Sequence, residues 1–313
     1  METMRFVGDH MYDITTHWQH PNHYGFFAGP SSTVAMAGEL VDYHFENFNK
    51  ETHQSSLIDK MERGITEAIR KAFAIPDVFS PAKGGFGSIQ PSAGNCSMLC
   101  AHVAKSKSLY MHKDDPKAKD KLVCYFSEVS HGHAVRASIM NGYPYYRESK
   151  AAWDEKAQNF VYDIPTLTKS IEKDVSAGLI PCFIIAVVGS TSCGGMDDIT
   201  TLAQIAKKHH ISLFVDGAWG GNFTVHQDYR DFLKGVEEAD FYQFNPSKLL
   251  GAGMNTSLVW MNNREDAARA FQVPNCDSTP ITSFKLGDTV KSSILKFHVF
   301  LQTYGIDRLR KTA

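Results

Sequence analysis

Between residues 122 and 261 the chain alternates short, strongly apolar runs with amphipathic stretches, and no other feature narrows its possible folds so far. Runs of strand length stand at 122–126, 182–188, 211–215, 241–244 and 256–261. Helical patterning fills 134–140, 166–177 and 201–209, and Pro165 and Gly178 frame the second of these. Upstream, helices are predicted at 30–48, 55–74 and 95–107; in the second, Leu57, Met61, Ile65 and Ile69 recur at every fourth position. A long amphipathic helix is predicted at 288–310. The strand-length runs are apolar at successive positions, so both of their faces must be covered. Such strands alternating with helices predict an α/β fold with a mainly parallel sheet and helices on both faces.

In an open α/β sheet, ligands bind beyond the carboxyl ends of the strands. Polar residues collect at those ends four times: Ser127-Glu128-Val129-Ser130-His131, Gly189-Ser190-Thr191-Ser192, Asp216, and Asn245-Pro246-Ser247-Lys248. Asp216 is followed by Gly217-Ala218-Trp219-Gly220-Gly221, and Lys248 lies about thirty residues further on in a tight Asn-Pro turn. A strand ending in aspartate and another ending in lysine suit pyridoxal phosphate. That cofactor needs a lysine amine for its Schiff base and a carboxylate to keep its pyridine nitrogen protonated.

Each of these residues also has a plainer reading. Asp216 can cap a helix or turn, and Lys248 alone reads as a solvated lysine. His131 can be an ordinary capped or core histidine, or a flat ring stacked on an aromatic cofactor. The glycine-rich loop from Gly84 to Asn95 runs into a helix and can cradle a phosphate or simply turn the chain. Its Lys83 precedes the glycines, so it is not a P-loop. His17, His20 and His23 have a metal-like spacing but no carboxylate or cysteine companion, and no metal site is expected there.

The totals bound the remaining possibilities. With 313 residues, 43% of them hydrophobic, the chain can enclose one large core or two ordinary domains. A formal net charge of −2 offers no electrostatic footprint for nucleic acid or an anionic membrane surface. No apolar run approaches the ~20 residues of a membrane span, and the polar start Met1-Glu2-Thr3-Met4-Arg5 is no signal peptide. The six cysteines form no CxxC pair and read as buried or free thiols, so a cytoplasmic location is expected.

From Trp18 to Gly305 these segments, in collinear order, resemble the group II pyridoxal-phosphate-dependent amino acid decarboxylases, a family with aromatic amino acid, histidine, glutamate and cysteine sulfinate branches. Trp18-Gln19-His20-Pro21 resembles its substrate-pocket segment, and Gln90-Pro91-Ser92-Ala93-Gly94-Asn95 its phosphate loop. Ser127 to His131 resembles the segment carrying the ring-stacking histidine. Ala218-Trp219-Gly220-Gly221 is similar to the glutamate and cysteine sulfinate branch. Asn245-Pro246-Ser247-Lys248 is similar to the family's Asn-Pro-His-Lys.

The resemblance implies a fold type I large domain, with Lys248 and His131 as catalytic residues. It implies cofactor contacts from Ser92, Ala93, Gly94, His131, Ser190, Asp216, Ala218, Asn245, Ser247 and Lys248. The expected division is an N-terminal segment (1–50), a cofactor-binding large domain (51–286) and a helix (287–313) leading to a small domain that is missing here. Expected partners are an amino acid substrate and a second subunit, either another copy or a full-length relative.

Three departures accompany the resemblance. Ser247 replaces a histidine. No tyrosine lies between Tyr242 and Tyr304, where the family carries a loop tyrosine as proton donor. Where the acidic-substrate branch has a carboxylate-binding arginine, this chain has Asp288 or Val290, beside Lys291. These departures frame an alternative reading, a non-catalytic or truncated relative that binds the cofactor or a full-length partner. They also frame a change of product from amine to aldehyde.

Overall fold

The computed structural model describes residues 2–18, 20–24, 32–45, 56–272, 284–286 and 293–313. Its centre is a seven-stranded sheet made of β1 (Phe86–Gln90), β2 (Leu122–Ser127), β3 (Tyr145–Ser149), β6 (Ile180–Val187), β7 (Ser212–Asp216), β8 (Phe241–Phe244) and β9 (Ser257–Met261). The strand order is β1-β9-β8-β7-β6-β2-β3. Strands β8, β7, β6, β2 and β3 run parallel, and β9 pairs antiparallel with both β8 and β1. A separate hairpin joins β4 (Ala151–Asp154) to β5 (Asn159–Tyr162).

Successive residues of the central strands supply two different cores. Val123 and Tyr125, Ile184 and Ala186, and Leu213 and Val215 face one. Leu122, Cys124 and Phe126, Phe183 and Ile185, and Phe214 face the other. This two-faced burial is why the runs are continuously apolar. The second core is covered by α4 (Ala93–Met111), α5 (His133–Met140) and α8 (Arg264–Phe271). The first is covered by α3 (Ser56–Ala72), α6 (Ile164–Ser176), α7 (Ile199–Lys208) and α9 (Ile294–Thr312), whose helical path is broken at Gly305. Two further helices, α1 (Glu2–Ile14) and α2 (Thr33–Phe45), lie towards the start of the chain. Among the described residues no helix is long and apolar enough to cross a membrane.

The fold corrects the sequence reading at one point that touches the site. The first part of the glycine-rich loop is the edge strand β1, and α4 begins at Ala93 rather than Asn95. Two of the five β1 residues, Ser88 and Gln90, are polar yet buried, so the strand lacks an apolar pattern. Their partners come from elsewhere. Glu62 accepts from the Ser88 hydroxyl at 3.0 Å and from the Ile89 N–H at 2.5 Å, and the Gln90 amide donates to the Phe284 carbonyl at 2.8 Å. The Lys285 ammonium pairs with Glu62 at 2.6 Å. Strand β3, the β4–β5 hairpin, α1 and α8 are also absent from the sequence reading.

Candidate active site

Five strand ends and one helix start converge on a cavity of about 300 Å³. Ser92, Ala93 and Gly94 reach it after β1, His131 after β2 with His133 at the start of α5, and Val187 at the end of β6 with Gly189 and Thr191 beyond it. Asp216 and Ala218 come from the end of β7, Asn245 and Lys248 from the turn after β8, and Arg136 from α5.

The helix start is anion-friendly. Ser92 is extended (φ −158°) and caps α4, its hydroxyl accepting the Asn95 N–H at 3.1 Å. The remaining first-turn N–H groups have no acceptor within the helix and sum with its dipole.

Opposite charge stands at the end of β7. Asp216 is 3% exposed, and both of its oxygens are engaged. Oδ1 accepts the Ala218 N–H at 3.0 Å and the Gln243 side-chain amide, and Oδ2 accepts from His133 Nε2 at 2.8 Å. Burial alone would raise its pKa, but His133, the Ala218 N–H and the Lys248 charge outweigh burial and hold the carboxyl below its ordinary range. Lys248 is affected the other way. Burial lowers its pKa and Asp216 only partly offsets this. His131 is also lowered, first by burial and then by His133, Lys248 and Arg136, against the pull of Asp216.

Backbone contacts fix the turns. Asn245 N–H donates to the Ala218 carbonyl at 3.3 Å, and Lys248 N–H to the Asn245 carbonyl at 3.0 Å. Asn245 Oδ1 is buried with no hydrogen-bond partner among the described residues. Gly189 has φ +84°, and Gly220 N–H donates to the Val188 carbonyl at 3.1 Å. A Cβ on Gly220 would lie 2.6 Å from that oxygen, so glycine at 220 is required by the crossing of two backbones.

Of the sequence-predicted residues, Ser92, Ala93, Gly94, His131, Asp216, Ala218, Asn245 and Lys248 stand together on the cavity wall. Ser190 stands off that wall. Its hydroxyl lies 3.0 Å from Cys193 Sγ and accepts the Gly195 N–H at 3.1 Å, holding the turn while its neighbour Thr191 lines the cavity. Ser247 is half-buried beside Lys248 but off the wall. Trp18 and His20 are exposed and also off the wall. Asp288, Val290, Lys291 and residues 273–283 lie outside the described residues. Sequence reasoning missed His133, Arg136 and Thr191. The cue available for His133 was its position two residues after His131, at a strand-end turn.

An aromatic cofactor carrying a phosphate and an aldehyde matches this donor set. There is a lysine amine of lowered pKa, a buried ionised carboxylate, a helix start open to an anion and an orphaned amide oxygen on the wall. Comparison with known proteins agrees. The family model described as the pyridoxal-dependent decarboxylase conserved domain matches residues 7–313. Tryptophan decarboxylase 2 of Oryza sativa subsp. japonica is 27% identical over 312 residues, covering 94% of this chain and 61% of that protein. Phenylacetaldehyde synthase of a Rosa hybrid cultivar is 25% identical, covering 98% of this chain and 62% of that protein. The crystal structure of Oryza sativa TDC with PLP and tryptamine superposes with a TM-score of 0.90 at 22% identity, over 99% of this chain and 66% of that one. The chain thus spans about three fifths of the length of these curated relatives.

Proposed function

The chain belongs to the pyridoxal-dependent decarboxylase family, and from that premise we propose that it decarboxylates an amino acid to an amine and carbon dioxide with pyridoxal phosphate as cofactor. The observation that carries the reading is the shared cavity of Lys248, Asp216 and the start of α4. When bound, the cofactor supplies an electron sink for the bond to the departing carboxylate.

The residues then divide the work. Lys248 holds the cofactor through its amine, and burial leaves more of that amine unprotonated and nucleophilic near neutrality. Asp216 keeps a negative charge beside the ring nitrogen and so keeps a proton there. His131 would pack against the ring of the cofactor, and its lowered pKa favours the neutral imidazole there. Ala218 supplies a small apolar contact. Ser92, Ala93, Gly94 and Asn245 hold the phosphate, Ser247 adds a hydroxyl from beside the wall, and Ser190 positions Thr191.

The name of the Oryza relative, a tryptophan decarboxylase, supports an aromatic amino acid as substrate. We further infer that two subunits associate, either as copies of this chain or with a longer relative. Helix α1 buries no residue while Met4, Phe6, Val7, Met11 and Ile14 stand exposed along it.

The test is carbon dioxide release from L-tryptophan, L-tyrosine and L-phenylalanine, with L-glutamate as the acidic comparison, by the purified chain supplied with cofactor. Release that disappears in Lys248→Ala is expected. Activity surviving that change sinks the assignment. Recovery of aldehyde in place of amine moves the chain to the chemistry named for the rose relative.

A further inference from the structure

The first residue of α5 lies buried against the carboxylate at the end of β7. His133, 5% exposed, directs Nε2 at Asp216 Oδ2 across 2.8 Å. Its other ring nitrogen, Nδ1, is buried with no hydrogen-bond partner among the described residues. A proton on Nδ1 would be an unsatisfied buried donor, so the ring proton belongs on Nε2, where Asp216 accepts it.

The acceptor count of Asp216 gives this contact a purpose. A carboxylate oxygen has two lone pairs. Oδ1 is filled by two donors, Ala218 N–H and the Gln243 amide, and Oδ2 by His133 alone. The free acceptor position is therefore on Oδ2, and the His133 hydrogen bond sets the direction in which it faces the cavity.

We propose that His133 is a positioning residue: by donating Nε2–H to Oδ2 it orients the Asp216 carboxylate and preserves its charge for the nitrogen of a pyridinium ring bound in the cavity. This rests on the reading of the site given above. His131 does not share the role, since its ring packs on His133 at 5.0 Å between centroids while its Nδ1 accepts the His133 backbone N–H at 3.2 Å. The two histidines therefore act separately, one at the ring face and one behind the carboxylate.

Three variants test this: His133→Gln, whose amide nitrogen can occupy the place of Nε2, His133→Asn, whose amide falls short of it, and His133→Phe, which keeps a flat ring without a donor. For each, pyridoxal phosphate affinity is measured by quenching of tryptophan fluorescence, the visible absorbance of the bound form is recorded, and the melting temperature is measured without cofactor. His133→Gln is expected to match the parent. Asn and Phe are expected to weaken cofactor binding roughly tenfold to a hundredfold and to alter the visible band. Without cofactor, His133→Gln should melt with the parent, while Asn and Phe should melt lower because the buried Asp216 carboxylate loses a donor. If His133→Phe does not fold, the Gln and Asn pair decides alone. Equal affinity and band in Asn and the parent, or equal losses in Gln and Asn, overturn the proposal. A parent chain that binds no cofactor overturns this proposal and the functional reading together. A parent that binds while the variants behave alike overturns the role of His133 only.

Discussion

Val187, the residue paired with Asp216 across β6 and β7, donates its N–H to the carboxylate of Asp197 at 2.8 Å. The other Asp197 oxygen accepts the Tyr162 N–H at 2.8 Å, so one buried carboxyl joins the β4–β5 hairpin to the strand beside the site. Burial pushes this carboxyl up to about 6, against the two N–H donors. Because the folded state binds its proton more tightly than the unfolded chain, its contribution to stability is complete below about pH 4 and is lost as pH rises through about 6. A shift of that size corresponds to about 3 kcal/mol at most. Asp216, held at about 2, has the opposite sign: it stabilises above about pH 4 and loses that effect as pH falls towards 2. Urea unfolding between pH 4.5 and 7 should therefore show a downward slope in stability that is flatter in Asp197→Asn. The variant should also be weaker throughout by about 1–3 kcal/mol, because an amide cannot accept at both ends. Equal slopes in the two proteins would contradict this account.

Lys285 and Glu62 form a second buried link, against strand β1. Their side chains are 6% and 11% exposed, and Lys285 also contacts the Ile89 carbonyl in β1. Removing one partner leaves a charge buried without its counter-ion, which costs about 3–5 kcal/mol. Lys285→Met and Glu62→Gln should each lower the urea midpoint strongly. The double variant Glu62→Gln/Lys285→Met, which keeps an acceptor for Ser88 and Ile89, should recover a large part of the loss, and additive losses would show that the pair is not coupled.

The parallel strands and their polar ends were legible because both faces of β2, β6 and β7 are buried and the pattern is continuous. Strand β1 was not, since its buried polar residues are satisfied by Glu62 and Phe284, which are far away in sequence. Among the site residues, Asp216 and Lys248 were readable from strand-end position. Ser190 and Thr191 were not separable, because neighbours at a turn point to different sides and only the fold shows that Ser190 turns inward to Gly195. The Gly220-Gly221 pair, read as similar to the acidic-substrate branch, has reasons unrelated to substrate: a Cβ on Gly220 would meet the Val188 carbonyl at 2.6 Å, and one on Gly221 the Tyr242 hydroxyl at 2.5 Å.

That crossing gives a third prediction. Gly220→Ala places a methyl group 2.6 Å from the Val188 carbonyl, which must shift the turn that follows Asp216. A destabilisation of about 1–3 kcal/mol is expected from overpacking, together with weaker cofactor binding, because Ala218 and Asp216 lie on the displaced segment. Thermal unfolding and a cofactor titration measure the two effects, and an unchanged melting temperature would show that the approach is not tight.

The fourth prediction concerns the amine itself. Burial lowers the Lys248 pKa below its ordinary 10.5, while Asp216 raises it. The reactive, unprotonated amine should accumulate at lower pH than in a solvated lysine, so borohydride-trapped cofactor should reach its plateau below the pH that a model lysine peptide requires. Asp216→Asn removes the opposing charge and should move that plateau lower still, even as it weakens retention of the ring. An upward move in Asp216→Asn would mean that the carboxylate does not act on Lys248 through space. The contrast works because the charge effect on the lysine and the pairing with the ring nitrogen have opposite consequences for trapping, one on its pH dependence and the other on its extent.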